Sequence, residues 1–163
     1  MTVLGVAGAD VRGLHIVTRV GGEHFAFPVS QVEEAVDAPA VARVPAPPTG
    51  MLGQLVHRGR MVAAWDAAWA FRLRASTEVA ATGVALVLRD GPRCVAFVVD
   101  DVLGMARVDP AGLRPVPEDA DLDGVLRGVC RLEEMGHALV NVVRVDVLAA
   151  IVAPGGTIMH GVT

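Results

Sequence analysis

The chain has 163 residues, is 53% hydrophobic, carries a formal charge of −4, and its 14 basic residues are all Arg. That length suits one domain, or two small units sharing a core. Charges break every Val- and Ala-rich stretch well short of the roughly 18 apolar residues that span a bilayer, and no basic tract is present to hold nucleic acid or an anionic membrane surface.

In chain order, residues 1–13 read as an N-terminal extension. They have neither a basic start nor a sustained apolar run, so no secretory signal is expected and a cytoplasmic location follows. Short Val-rich runs bounded by Gly, Pro or Asp predict strands at 14–20, 23–29, 83–89, 93–102 and 137–145. Gly21-Gly22 and Asp90-Gly91-Pro92 read as hairpin turns. Residues 44–50, with three prolines, form a rigid loop, because Pro cannot sit inside a central strand. Short helices are predicted at 66–73 and 146–152, the second with Asp146 as N-cap. Residues 117–124 alternate Asp but lack the terminal Glu of a calcium loop, so they read as a solvated turn. Residues 153–163 read as a C-terminal tail.

The chain repeats itself. Shifted by 70 residues, 15–32 lies over 85–102 with seven identities in eighteen pairs, among them Val17/Val87, Arg19/Arg89, Ala26/Ala96 and Phe27/Phe97. Further on, a shift of 75 pairs Gly53 with Gly128, Ala63 with Ala138 and Asp66 with Asn141. The repeat predicts a mainly β protein of two similar units, roughly 14–73 and 82–152, each closed into a barrel that hides its sheet edges. A single β-sandwich is the alternative.

Arg58-Gly59, in the run LVHRGRMVAAWD, reads as a two-residue turn between strands. Glu33 and Glu34 interrupt an apolar run, and adjacent strand residues face opposite ways, so one of them is expected to turn inward. A partly buried Glu34–Arg58 pair would account for the guanidinium amid apolar sequence. Such a pair adds little net stability, yet losing one partner strands the other charge. His57, with no matched nucleophile, reads as a strand residue with a satisfied hydrogen bond. The same opposite-face argument leaves no ready carboxylate dyad. Cys94 and Cys130 are 36 residues apart with no CxxC and read as buried thiols, and the five histidines are scattered. No disulfide, metal site or cofactor is expected.

The ordered series GGEHFAFPVSQVEEAV, RVPAPP, LGQLVHRGRMVAAWD, VAFVVDDVLGM and LRGVCRLEEMGHALVNVVRV resembles the CheW-like chemotaxis coupling-protein family, from about His15 to Ile151. Glu34, Leu52, Gly53, Arg58, Gly59, Asp66, Val99, Asp100 and Val102 fall on family positions. Departures are Val56-His57 for the family's Asn-Leu, Ala67 for the Leu that follows its Asp, and Asn141 for its last Asp. The resemblance implies two SH3-like five-stranded β-barrel subdomains around a shared core, spanning 14–152, with a short mid-chain helix and a C-terminal helix. It implies a non-enzymatic scaffold that couples methyl-accepting chemoreceptor tips to the regulatory domain of a CheA-type histidine kinase, which has the same fold. The receptor tip would lie in an apolar groove between the barrels.

Interaction residues expected on that basis are Glu34, Arg58 and Gly59 at the Arg-Gly turn, Val99, Val102, Leu103 and Met105 at the groove, and Trp69 as a docking anchor or a barrel plug. The departures leave room for an adaptor in a pilus or gliding pathway. A small-ligand sensor built on a barrel cavity is the remaining alternative, and few aromatic or clustered polar groups favour it.

Overall fold

The computed structural model describes residues 12–73, 82–120, 122–153 and 157–158. Strands that bury both faces need apolar residues at successive positions, and the runs supply them: Ile16, Val17, Thr18 and Val20 are all buried in one strand. The elements are β1 (Leu14–Val20), β2 (Glu23–Pro28), β3 (Val32–Asp37), β4 (Met51–His57), β5 (Arg60–Asp66), α1 (Ala67–Ala70), β6 (Val84–Asp90), β7 (Arg93–Val99), β8 (Asp101–Arg107), β9 (Leu126–Leu132), β10 (Ala138–Val143) and α2 (Val145–Ile151). Two-residue strands β11 (Val152–Ala153) and β12 (Thr157–Ile158) pair beyond α2.

Two five-stranded sheets form, in the orders β8-β1-β2-β10-β9 and β3-β6-β7-β5-β4. Neighbours are antiparallel except β2 with β10 and β5 with β7. The mainly β, twin-unit architecture thus agrees with the sequence. The boundaries of the units do not. Residues 14–73 and 82–152 are not the two sheets: the second sheet is contiguous from Val32 to Val99, and the first is split around it. Each repeat gives two strands to one sheet and three to the other. The cause is local. Pro28 ends β2, a 3-10 turn at Val29–Gln31 redirects the chain, and β3 then pairs with β6.

The repeat itself is structural. Val17 pairs with Ala26 in one sheet as Val87 pairs with Ala96 in the other. Gly53 and Gly128 are also equivalent, since their partners Ala64 and Val142 pair with Ala96 and Ala26. The shift of 75 stops there. The β9–β10 connection, Glu133 to His137, is three residues longer than Arg58-Gly59, so Ala63 and Asp66 match Asn141 and Arg144.

The strand expected over 93–102 is two strands broken at Asp100, where the chain crosses between sheets. Asp100 donates its N–H to the Arg19 carbonyl and accepts from the Gly21 N–H through Oδ2, both at 2.9 Å. The mid-chain helix is one turn, capped by Asp66, whose Oδ1 accepts from the Ala68 N–H. Arg144, not Asp146, precedes α2, and Asp146 sits in its first turn where its charge suits the helix N-terminus. Strands β3 and β9 lie outside the predicted strand runs because charges interrupt both, at Glu33-Glu34 and at Arg127 and Arg131.

Alternation sorts each strand's side chains between two environments. Val17, Ala26, Ala106, Cys130, Leu132, Val140 and Val142, from all five strands of the first sheet, converge on one cluster, so the sheet curls around it. Leu55, Val62, Ala64, Ala85, Val87, Ala96 and Val98, with half-buried Val36, do the same in the second. The opposite faces meet in a larger shared core with α1 and α2. There Phe25 stacks on Phe71 at 4.1 Å, and Trp65 packs against Trp69 at 5.9 Å. Trp69 is held against Gly50, where a Cβ would lie 2.3 Å from its ring, so only glycine fits.

His15, on the same side of β1 as Val17, is buried at 5% exposure. Its Nδ1 donates to the Gly13 carbonyl at 2.8 Å, and Nε2 has no hydrogen-bond partner among the described residues. Burial, aided by Arg127, holds its pKa below the ordinary 6.5 despite the Gly13 bond. The neutral form is therefore the folded one. The stability this contributes is complete above pH 6.5 and is lost as pH falls through the lowered folded value. His15→Leu is expected to flatten the loss of melting temperature that begins as pH falls below 6.5, as a thermal melt series across pH would show. Trp69→Ala is expected to cost about 3–5 kcal/mol in urea unfolding, since it empties the centre of the shared core.

Candidate functional site

A cluster of charged and polar side chains gathers at the tip of the β4–β5 hairpin. Arg58 and Gly59 both have positive φ, 51° and 75°, the two-residue turn whose twist matches the flanking strands. The turn sets Val56 beside Met61 across the ladder, both more than half exposed at 66% and 57%. Immediately behind it, His57 ends β4 with only 4% of its surface exposed.

Both glutamates reach that imidazole. His57 Nδ1 lies 2.6 Å from Glu34 Oε2, and Nε2 lies 2.9 Å from Glu33 Oε1. Successive strand residues normally diverge, but the β3–β6 register shifts between Val32 and Glu34, and this bulge brings both carboxylates to one side. Arg89 donates its Nε–H to Glu33 Oε2 at 2.7 Å. Arg58 is exposed and sits 3.7 Å from the same oxygen. The expected Glu34–Arg58 pair is therefore replaced: Glu34 binds His57, and Arg58 leans on Glu33. The reading of His57 as a satisfied strand residue agrees with its two contacts.

The Arg89 hydrogen bond, reinforced by His57 and by the charges of Arg89 and Arg58, pulls the Glu33 carboxyl down to about 2 against the opposing effect of burial. Cys94, near the start of β7, joins the cluster: its Sγ and single ligand atoms of Glu33 and His57 all lie within 4.8 Å of one another. Burial pushes the Cys94 thiol up, opposed by Arg89, Arg58 and Arg60. Sequence reasoning missed this convergence because the three residues lie on three strands joined only by the topology. One signal was available in the repeat. At the equivalent bulge the other sheet carries Leu103 in place of Glu33, and Leu132 in place of His57.

The other expected interaction residues are dispersed. Val99 is 1% exposed and Trp69 is 6% exposed, both in the shared core, so neither offers a docking surface and Trp69 packs between the sheets rather than in a barrel's end. Val102 is half-buried against that core, and Leu103 against the first sheet's cluster. Met105 alone of the groove set is openly exposed, at 47%.

Twin curled sheets related by an internal repeat, with apolar side chains facing solvent at hairpin ends, define a two-sheet β-module. The sequence profile of the CheW-like domain matches residues 15–152, and the chain belongs to that family. Its members are non-enzymatic adaptors. The fold matches that of the scaffolding protein TtCheW from Thermoanaerobacter tengcongensis, with a TM-score of 0.71 and 15% identity over 90% of this chain and 92% of that one. No curated protein matches the chain. No helix among the described residues is long and apolar enough to cross a membrane.

Because its folded pKa is depressed, Glu33 contributes stability that is complete above its ordinary 4.5 and is lost as pH falls towards about 2. Glu33→Gln is expected to lower urea stability at pH 7 and to converge on the wild type near pH 2. Equal stability at pH 7 would show that the pairing with Arg89 contributes nothing.

Proposed function

We propose that the chain is a cytoplasmic coupling scaffold that joins chemoreceptor tips to a CheA-type histidine kinase in a chemosensory array. The observation that carries this reading is that solvent-facing apolar side chains stand at both of two structurally equivalent hairpin ends. One sheet presents Val56 and Met61, and at the equivalent hairpin the other presents Leu139 at 52% exposure. Large apolar side chains exposed on a hairpin end suit an interface core, with Arg58, Arg60 and Arg131 as the charged rim that sets partner and register. Two such ends, related by the internal repeat but different in sequence, suit a link with distinct neighbours on either side. Head-to-tail contacts of that kind generate rings or rows. Met105 on β8, an edge strand of the first sheet, suits the receptor-facing groove.

Among the described residues Arg58 makes one long, exposed ion pair, and such pairs contribute about 0–1 kcal/mol. Arg58→Ala and Met61→Glu are therefore expected to melt within a few degrees of the wild type, yet to lose capture of the cognate kinase's regulatory domain. Co-purification with that domain and with a receptor-tip fragment measures both. Normal capture by both variants would remove this hairpin from the interface, and failure of the wild type to bind either protein would end the coupling reading.

A further inference from the structure

We propose that Glu33, His57 and Cys94 form a binding site for zinc or a similar borderline-soft divalent ion. One ligand atom from each residue, a Glu33 carboxylate oxygen, a His57 ring nitrogen and Cys94 Sγ, lies within 4.8 Å of the other two. Ligand atoms around a tetrahedral zinc ion with bonds of about 2.0–2.3 Å sit roughly 3.3–3.8 Å apart, so these three have only a short way to close. Three protein ligands leave a fourth position for water or a partner's side chain. Thiolate with imidazole selects zinc-like ions over magnesium or calcium, which take oxygen ligands.

The surroundings are those a metal ligand set needs. Glu34 Oε2, 2.6 Å from His57 Nδ1, fixes the ring so that Nε2 is turned to the metal position. Arg89 holds Glu33 Oε2 at 2.7 Å, which leaves Oε1 as the oxygen that faces the imidazole. A carboxylate oxygen only accepts, so the 2.9 Å approach of Oε1 to Nε2 requires a proton or a cation between them.

The internal repeat supplies a control that few proteins carry. The other sheet builds the same bulge and the same strand end with Leu103 and Leu132, and closes without a polar cluster. His24 occupies the position of Cys94 there, since Arg19 pairs with His24 as Arg89 pairs with Cys94. The fold does not require carboxylates and a buried imidazole at this end, and a well-packed apolar replacement of a buried ion cluster is often as stable or more so. A ligand explains what the fold does not.

The test is a titration of the reduced full-length protein with Co²⁺ and then Zn²⁺. One equivalent of cobalt is expected to give a near-ultraviolet thiolate-to-metal charge-transfer band that zinc abolishes, and zinc is expected to raise the melting temperature. Cys94→Ser should lose the band. Cys130→Ala, which alters the thiol in the other sheet, should keep it. The double variant Glu33→Leu/His57→Leu copies the composition of the other sheet, and should fold with a wild-type circular dichroism spectrum and bind no metal. Glu34→Gln, a positioning change, should weaken binding by about 10–100-fold without removing the band. Absence of the band in the wild type overturns the proposal, as does a band that survives Cys94→Ser. The Cys94→Ser comparison stands even if the double variant fails to fold.

Discussion

Three residue pairs of parallel strand contact hold the two ends of this chain in one sheet. Val140, Asn141 and Val142 of β10 lie against His24, Phe25 and Ala26 of β2, and Asn141 Nδ2 donates to the His24 carbonyl at 3.0 Å. The equivalent contact of β5 with β7 runs through Ala64, Trp65 and Asp66 against Ala96, Phe97 and Val98. Without these two seams each sheet would fall into a hairpin and a three-stranded remnant, and small open pieces of that kind are marginal in water. The seams also place Phe25, Phe97 and Trp65 on the shared core, so the sheets cannot form without the layer between them. Small residues make them possible: Ala26, Ala64 and Ala96 are fully buried where the curled sheets are most crowded.

Much of this was legible in the sequence, because short strands with tight turns are encoded locally. The run 14–20 is β1 residue for residue, and Arg58-Gly59 forms the turn its residues specify. The repeat disclosed two equivalent units because apolar alternation must be written twice to build two interiors. What it could not disclose was which half of each repeat enters which sheet. Val-rich strands are good partners for any other Val-rich strand, and the choice is made by Pro28 and the 3-10 turn after it, a three-residue event with no apolar signature. The site was legible in its parts and not in its wiring. Glu33, Glu34, His57 and Arg58 all drew notice, but the opposite-face rule that kept the two glutamates apart holds only where the ladder is regular, and the bulge falls between Val32 and Glu34.

The two sheets are the same backbone solution filled differently. Val17 and Val87, or Phe27 and Phe97, are retained because both sit where an interior must be filled. At the hairpin ends the pairs Val56–Met61 and Arg131–Leu139 share geometry but not chemistry, as do Glu33–His57 and Leu103–Leu132. The hairpin ends of these two related sheets thus carry different chemistry on a shared backbone plan, and specificity rests on differences between surfaces rather than on the common scaffold.

The nesting of one sheet inside the other orders events during synthesis. The second sheet is complete once Val99 has left the ribosome, whereas the first begins with β1 and β2 and waits for β10, which ends at Val143. Domains emerge N-terminal first at about 5–20 residues per second, so the β1–β2 hairpin spends seconds with its outer edges bare while its inner neighbour is already closed. The polypeptide thus matures from the middle outwards, and its opening strands depend on its closing ones for shelter.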